Sequence, residues 1–424
     1  MRILIAVVGS LGDVLPFVAM GAQLKRRGHE VRLYANPTFT SVIEAAGLDA
    51  VGVGSAARHQ AFLDSPEATD PKKAMALVAA GVMSNVPLFY EAMCADIIPG
   101  RTMVIGSTMA FASRLLREKC GLPGAVVHLS PSVIRSEFMA PRFSPLGHME
   151  TLPRCVKRFV WRTLDRKFLD PLYSVPFNRL RAGLGLAPVD RIMHQWLHEG
   201  DLCIGLYPRW FAAPQPDSPA NFHPTAFPLF DDGAPLSAEL GAFLDDGAAP
   251  VAFTSGTANA TSHAFYAASA EACRLSGKRG ILITPHKAQV PATLPQGVVQ
   301  VDYVSFQALL PRVAAFVHHG GIGSTSQALA AGVPQLIQPM AFDQFDNASR
   351  AVRLGVARSI APKRYTVSAV ADQLNRLTAD QALAARCKAV AAMTAASAGV
   401  DEACDLVERR LAGANPAPVT RTAS

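Results

Sequence analysis

Phe316-Val317-His318-His319-Gly320-Gly321-Ile322-Gly323-Ser324-Thr325 reads as a strand that runs into a glycine-rich turn and then into a helix. The apolar run Ala315–His318 has strand length and ends in two histidines. Ser324 or Thr325 is predicted to open a helix that lasts to Ala331; Gly332 and Pro334 stop it, and Gln335–Gln338 is the next strand. Strand, helix and strand over so short a distance make a right-handed βαβ unit with parallel strands.

The same pattern opens the chain. Ile3–Val8 is an apolar strand, Gly9-Ser10-Leu11-Gly12-Asp13 a turn, and Val14–Arg27 a helix with Leu15, Val18, Ala19 and Ala22 on one face. Asp13 suits its N-cap, Pro16 its first turn and Gly28 its end; Val31–Tyr34 is the next strand. Read this way, Arg2 and the six apolar residues after it are a first strand rather than a secretion signal. Further strands are predicted at 102–106 and 125–129 around a helix at 110–120, and at 251–253, 280–283 and 298–301. Between the two α/β regions, Pro214, Pro216, Pro219, Pro224, Pro228 and Pro235 exclude a helix or a central strand. The predicted organisation is an α/β domain at 1–212, a linker at 213–235, a second α/β domain at 236–412 with its last helix free to pack back on the first, and a disordered tail at 413–424. Ligands of open α/β sheets sit beyond the carboxyl ends of the strands, so both glycine turns should face one cleft.

Half of the 424 residues are hydrophobic and 17% are charged, enough apolar material for two cores. The sequence shows no unbroken apolar run of about 18 residues, as a membrane span needs. Seven scattered cysteines with no C-x-x-C pair read as buried thiols of a reducing cytoplasm. The net charge of +7 suits an acidic partner, but the chain carries no nucleic-acid-binding motif, so a phosphate-bearing ligand or an anionic membrane surface is the partner class it leaves.

The 318–325 turn is chemically an anion site. Gly320, Gly321 and Gly323 let the backbone approach a phosphate; the helix start offers unpaired N–H groups; His318 or His319, Ser324 and Thr325 add donors. The bland alternative is a tight strand–helix turn. Asp343-Gln344, in the next strand–helix loop, offers acceptor and donor groups for sugar hydroxyls, and Asp343 also suits a helix N-cap.

His319-Gly320-Gly321-Ile322-Gly323-Ser324-Thr325, Gly332-Val333-Pro334 and Asp343-Gln344 with Asn347-Ala348 together resemble the donor-binding signature of the family 1 glycosyltransferases. The resemblance implies a GT-B fold, two Rossmann-like domains facing a central cleft, with inverting chemistry and neither metal nor cofactor. Tyr303, Val304 and Phe306 fall in the segment that cradles the nucleobase, and Ser255 and Thr257 in a second phosphate-contacting turn. Gln327 stands where plant members carry a Glu for the ribose hydroxyls, a change that fits a dTDP-sugar. Gly9-Ser10-Leu11-Gly12-Asp13 resembles the opening motif of bacterial and sterol members: Asp13 would be the catalytic base, with Ser10 and Gly12 near the diphosphate.

An apolar acceptor is expected between about Ser55 and Tyr173, with Phe89, Met93, Phe138 and Met139 as contacts. Arg154, Arg158, Arg162 and Arg166 recur every four residues opposite Val156, Phe159, Val160 and Leu164; such a helix either lies on anionic lipid or presents a solvated face. Leu129-Ser130-Pro131-Ser132, Gln195-Trp196 and Phe227-Pro228-Leu229-Phe230-Asp231 add a resemblance to the rhamnosyltransferases of rhamnolipid biosynthesis. That implies dTDP-L-rhamnose as donor, a 3-(3-hydroxyalkanoyloxy)alkanoic acid as acceptor, a cytoplasmic enzyme at the inner membrane face, and association with the enzyme that makes the acceptor. Other apolar aglycones and a GT-B sugar-nucleotide epimerase stay open. A dinucleotide oxidoreductase lacks its G-x-G-x-x-G and the acid ~20 residues on.

Overall fold

The protein is described by a computed structural model covering residues 1–63, 65, 71–143, 149–231, 233–256 and 262–414. Among these residues, β1 (Arg2–Ala6), β2 (Glu30–Ala35), β3 (Asp49–Gly52), β4 (Thr102–Ser107), β5 (Gly124–His128), β6 (Leu202–Gly205) and β7 (Phe222–Pro224) form one sheet in the order β3-β2-β1-β4-β5-β6-β7. A second sheet has the order β10-β9-β8-β11-β12-β13, from β8 (Val251–Thr254), β9 (Gly280–Ile283), β10 (Val298–Val301), β11 (Ala315–His318), β12 (Gln335–Ile337) and β13 (Ala357–Ser359). All pairings are parallel. Strand order reverses between β1 and β4 and again between β8 and β11, so each sheet has one switch point of the kind where α/β proteins bind ligands.

The apolar runs are continuous because each sheet is covered on both faces. In β1, Ile3 and Ile5 pack with Val14, Phe17 and Val18 of the first helix, Leu11–Arg26, while Leu4 and Ala6 point to the other layer against Val82, Phe89 and Phe111. The chain's last helix, Asp401–Ala414, belongs to the first half rather than the second. It inserts Ala403, Cys404, Val407 and Leu411 among Ile3, Ile5 and Leu24. Arg27 locks it in place through Asp401, Asp405 and Glu408, at 2.7, 2.6 and 2.8 Å.

Several sequence expectations need correction. The first helix begins at Leu11 with Ser10 as N-cap, which makes Asp13 the third residue of its first turn and puts Pro16 in the second. The Ile322–Ala331 helix likewise starts before Ser324, capped by Gly321. The proline-rich stretch expected as linker gives strand β7 to the first sheet; it is an edge strand, where prolines cost no central ladder bond. Residues 413–414 are helical, and 415–424 of the expected disordered tail lie outside the described residues. Cys203, Cys273, Cys387 and Cys404 are buried, but Cys94, Cys120 and Cys155 are exposed. The Pro71–Cys94 helix is long and apolar enough over Lys73–Cys94 to cross a membrane by composition alone, a feature the sequence reading missed.

Val407 tests the return of the last helix. Val407→Ala should lower stability in urea unfolding by about 1–3 kcal/mol, whereas Glu402→Ala on its exposed face should stay within about 0.5 kcal/mol.

Candidate active site

The loop after β1 delivers Asp13. Its Oδ2 accepts from the Ser10 amide (2.7 Å) and the Ser10 hydroxyl (2.9 Å), a capping box made with aspartate. The carboxylate folds back over Gly9, whose φ is +149° and where a Cβ would lie 2.3 Å from Oδ2, so glycine is required there. Oδ1 makes no hydrogen bond among the described residues. Desolvation in the cleft wall pushes Asp13 above the ordinary aspartate range, and the two Ser10 bonds oppose it.

The loops after β8 and β11 face the same cavity. His319 lines it, with its ring set against Gly256 and Gly321; a Cβ on Gly256 (φ +87°) would meet the ring at 2.6 Å, and one on Gly321 at 2.5 Å. His319 Nδ1 is buried without a hydrogen-bond partner, and burial lowers the ring to about 4, leaving a neutral imidazole at neutral pH. Beside it, the Ile322–Ala331 helix turns its start to the cavity, with Gly321, Ile322, Gly323, Ser324 and Ser326 in the lining. The amides of Ile322, Gly323 and Ser324 have no carbonyl within the helix, so the loop presents unpaired donors to the cavity.

Three expected donors are corrected. His318 is fully buried, its Nε2 on Gln335 Oε1 (3.0 Å) and its Nδ1 accepting from Gly320 N–H (3.1 Å); burial and the His319 ring lower it to about 3. As the last residue of β11 it points into the core, and the next residue points out. Gly320 has its amide on His318 and its carbonyl on Asn347. Thr325 is buried, its hydroxyl on Gly321 O. Ser255 lines the cavity; Thr257 lies outside the described residues.

Asp343 and Gln344 line the cavity at the start of the Gln344–Arg353 helix. Asp343 makes no side-chain cap bond; its Oδ2 accepts from Asn347 Nδ2 at 2.8 Å. Burial pushes it up to about 6, opposed by the Asn347 bond and aided by the Asp13 charge, so the two carboxylates of the two halves sense each other across the cleft. Gln344 Oε1 holds the loop through the amides of Met340 and Ala341. Phe342 has φ +54°, which a bulky residue rarely adopts, and is 58% exposed in the lining; sequence reasoning missed it.

Tyr303, Val304 and Phe306 line the other end of the second half. Gln327 is there too, but its Nε2 donates to Phe230 O (3.0 Å) in the crossing segment, which accounts for an amide at this position without a ribose. Of the first half, Ser10, Gly12 and Asp13 reach the cavity as expected. The four expected acceptor contacts do not. Phe89 and Met93 are core, and Phe138 and Met139 lie outside the lining, Phe138 under Arg154 and Met139 against Arg350. The wall is instead built from Phe62, Leu77, Val78, Leu88 and Met109, with Arg58 and His59, around a cavity of about 1300 Å³. Leu88 is one residue from Phe89; helical phase separates them, and the sequence alone gave no origin for that phase.

Among the described residues, His128, His198 and Cys203 place ligand atoms within 4.8 Å of one another. They are buried outside the cavity, the two rings already share a hydrogen bond of 3.0 Å, His128 is bonded to Thr108, and the Arg114 cation helps to lower both histidines; this disfavours a metal ion.

Two parallel sheets turn their switch points toward each other, with a carboxylate on one side of the cleft and a helix start with unpaired amides on the other. Residues 3–139 match the glycosyltransferase family 28 N-terminal domain, and 276–408 the erythromycin biosynthesis protein CIII-like C-terminal domain. Glycosyltransferase GtfE of Amycolatopsis orientalis is 31% identical over 364 residues, covering 84% of this chain and 85% of that protein. The O-mycaminosyltylonolide 6-deoxyallosyltransferase of Streptomyces fradiae is 29% identical over 437 residues, 96% of this chain and 97% of its own. The solved glycotransferase of kitacinnamycin superposes with a TM-score of 0.72 at 22% identity, over 97% and 99% of the two chains. Spinosyn rhamnosyltransferase SpnG complexed with thymidine diphosphate gives 0.68 at 18%, over 96% and 99%. The chain belongs to the family 1 glycosyltransferases, with their GT-B fold, and is related to the enzymes that glycosylate antibiotics.

The two histidines should separate in stability. His318→Ala leaves Gln335 and the Gly320 amide unpaired in the core and should cost about 3 kcal/mol or more; His319→Ala, at the cleft wall, should cost about 1 kcal/mol or less in the same urea titration.

Proposed function

We propose that the enzyme is an inverting, metal-independent transferase that moves L-rhamnose from dTDP-L-rhamnose to the hydroxyl of a 3-(3-hydroxyalkanoyloxy)alkanoic acid. Asp13 Oδ1 takes the acceptor's hydroxyl proton while that oxygen attacks C1 of the sugar from the face opposite the diphosphate. The C1–O bond to the diphosphate breaks, and the helix start with His319 and Ser324 receives the negative charge. Asp343 and Gln344 hold sugar hydroxyls, and Met340, Ala341 and Phe342 set apolar surface beside them, which suits a 6-deoxy sugar. Tyr303, Val304 and Phe306 take the base. Thymidine diphosphate in SpnG supports the nucleotide.

One observation carries the acceptor. The first-half wall is a long apolar helix face, and Arg58, at its edge, is the one permanently charged cation in the lining, without an ion pair among the described residues. An acyl chain with a terminal carboxylate matches both. The acceptor-making enzyme is then the natural partner. The antibiotic aglycones of the relatives favour a second reading, a polycyclic or macrolide acceptor.

Released dTDP and product mass decide between them when the protein is given dTDP-L-rhamnose with 3-(3-hydroxydecanoyloxy)decanoic acid or with an aglycone. Turnover with the acid is expected; turnover confined to aglycones, or a preference for UDP-glucose, overturns the reading. Arg58→Ala should raise KM for the acid about tenfold and leave its methyl ester nearly unchanged.

Asp13→Asn keeps an oxygen for the Ser10 amide and cannot take a proton. It should fold and bind dTDP normally, with turnover lower by about 10²–10⁴-fold. A base with a raised pKa is active only above that pKa, so kcat/KM should fall as pH drops through the raised range of Asp13; Asp343, pushed up to about 6, adds its own protonation to that limb, and Asp343→Asn should move it. His319→Ala should weaken dTDP binding by about tenfold or more in calorimetry.

A further inference from the structure

Away from the cleft, the helix Arg154–Leu164 continues through a π-helical stretch, Asp165–Leu169, toward the helix Ser174–Gly183. Phe159 is 71% exposed and Phe168 52%; Val156 and Val175 are exposed as well. On a regular helix at about 100° per residue, Phe159 and Phe168 would face roughly opposite ways. The π stretch absorbs one residue, bringing them to within roughly 80°, and Val175, seven residues on, returns to the same side. The irregular turn thus aligns four apolar side chains that sequence periodicity alone scatters.

Basic residues flank this stripe. Arg162, Arg166, Lys167 and Arg179 are exposed and make no ion pair among the described residues; Arg158 pairs with Glu137. The acid of the π stretch, Asp165, is turned inward to Arg135. The exposed face therefore carries aromatic side chains among uncompensated positive charge. We propose that this stripe docks on an anionic lipid surface, with Phe159 and Phe168 entering the headgroup boundary and the arginines and lysine meeting phosphate. A second copy of the chain is a poorer occupant, because pairing the stripe with itself sets arginine against arginine. The Pro71–Cys94 helix, which walls the cavity, packs on the same helical layer through Leu169, Leu172 and Leu180, so docking sets the acceptor side of the cleft close to lipid.

Sedimentation with vesicles tests this without reference to activity. The full chain should bind vesicles of phosphatidylcholine with phosphatidylglycerol, bind phosphatidylcholine alone far more weakly, and be released by salt. Phe159→Ser with Phe168→Ser should lower partitioning by about tenfold or more per side chain, and Arg162→Gln with Lys167→Gln by about fivefold per charge. Both variants should keep the wild-type unfolding midpoint and turnover of a dispersed acceptor. Failure of the wild-type chain to bind the anionic vesicles overturns the proposal, as does undiminished binding by the Phe variant. A wild-type dimer in light scattering that the Phe substitutions dissolve would overturn it in favour of self-association.

Discussion

Parallel strands that alternate with helices all end at one edge, and there the following helices begin with amides that have no partner. Each sheet gathers unpaired donors and loop glycines at its carboxyl edge, and the two edges are turned toward each other. The first spends its helix start on holding Asp13, through the Ser10 amide and hydroxyl. The second leaves its helix start open to the cavity. Similar local geometry thus yields a carboxylate on one wall and open amide donors on the other, because one loop supplies an acid three residues after its cap and the other supplies glycine and serine.

Glycine sets how closely the walls can be built. Asp13 can fold back only over Gly9, and His319 can fill its slot only because Gly256 and Gly321 lack side chains. In the proposed transfer, a neutral imidazole held this tightly would need no reorganisation to meet the departing diphosphate.

The parallel sheets were legible in the sequence because buried strands are unbroken apolar runs between turn residues, as in Ile3–Val8 and Ala315–His318. β3, β7 and β13 lack such a run because Asp49 and Gly52, His223 and Pro224, and Arg358 and Ser359 interrupt it, whereas β6, no shorter than β11, went unread. The cleft residues at strand ends were legible because position relative to a strand end needs no long-range information. His318 and His319 show the limit: consecutive residues that leave a strand point opposite ways, and the sequence does not say which is inward. The acceptor wall was misplaced for a related reason. Phe89 and Leu88 lie on a helix apolar on most sides, so hydrophobicity gave no phase, and only packing against β1 decided which residue became core.

The first half is closed by the end of the chain. Ala403, Cys404, Val407 and Leu411 fill the layer over Ile3 and Ile5, and Arg27 gathers three acids of the same helix. On the ribosome, the part of that layer beside the first helix stays uncovered while the whole second half is being made. The half that emerges first is thus the one completed last, and a nascent chain must carry a partly open apolar layer, a surface for chaperones, through most of its synthesis.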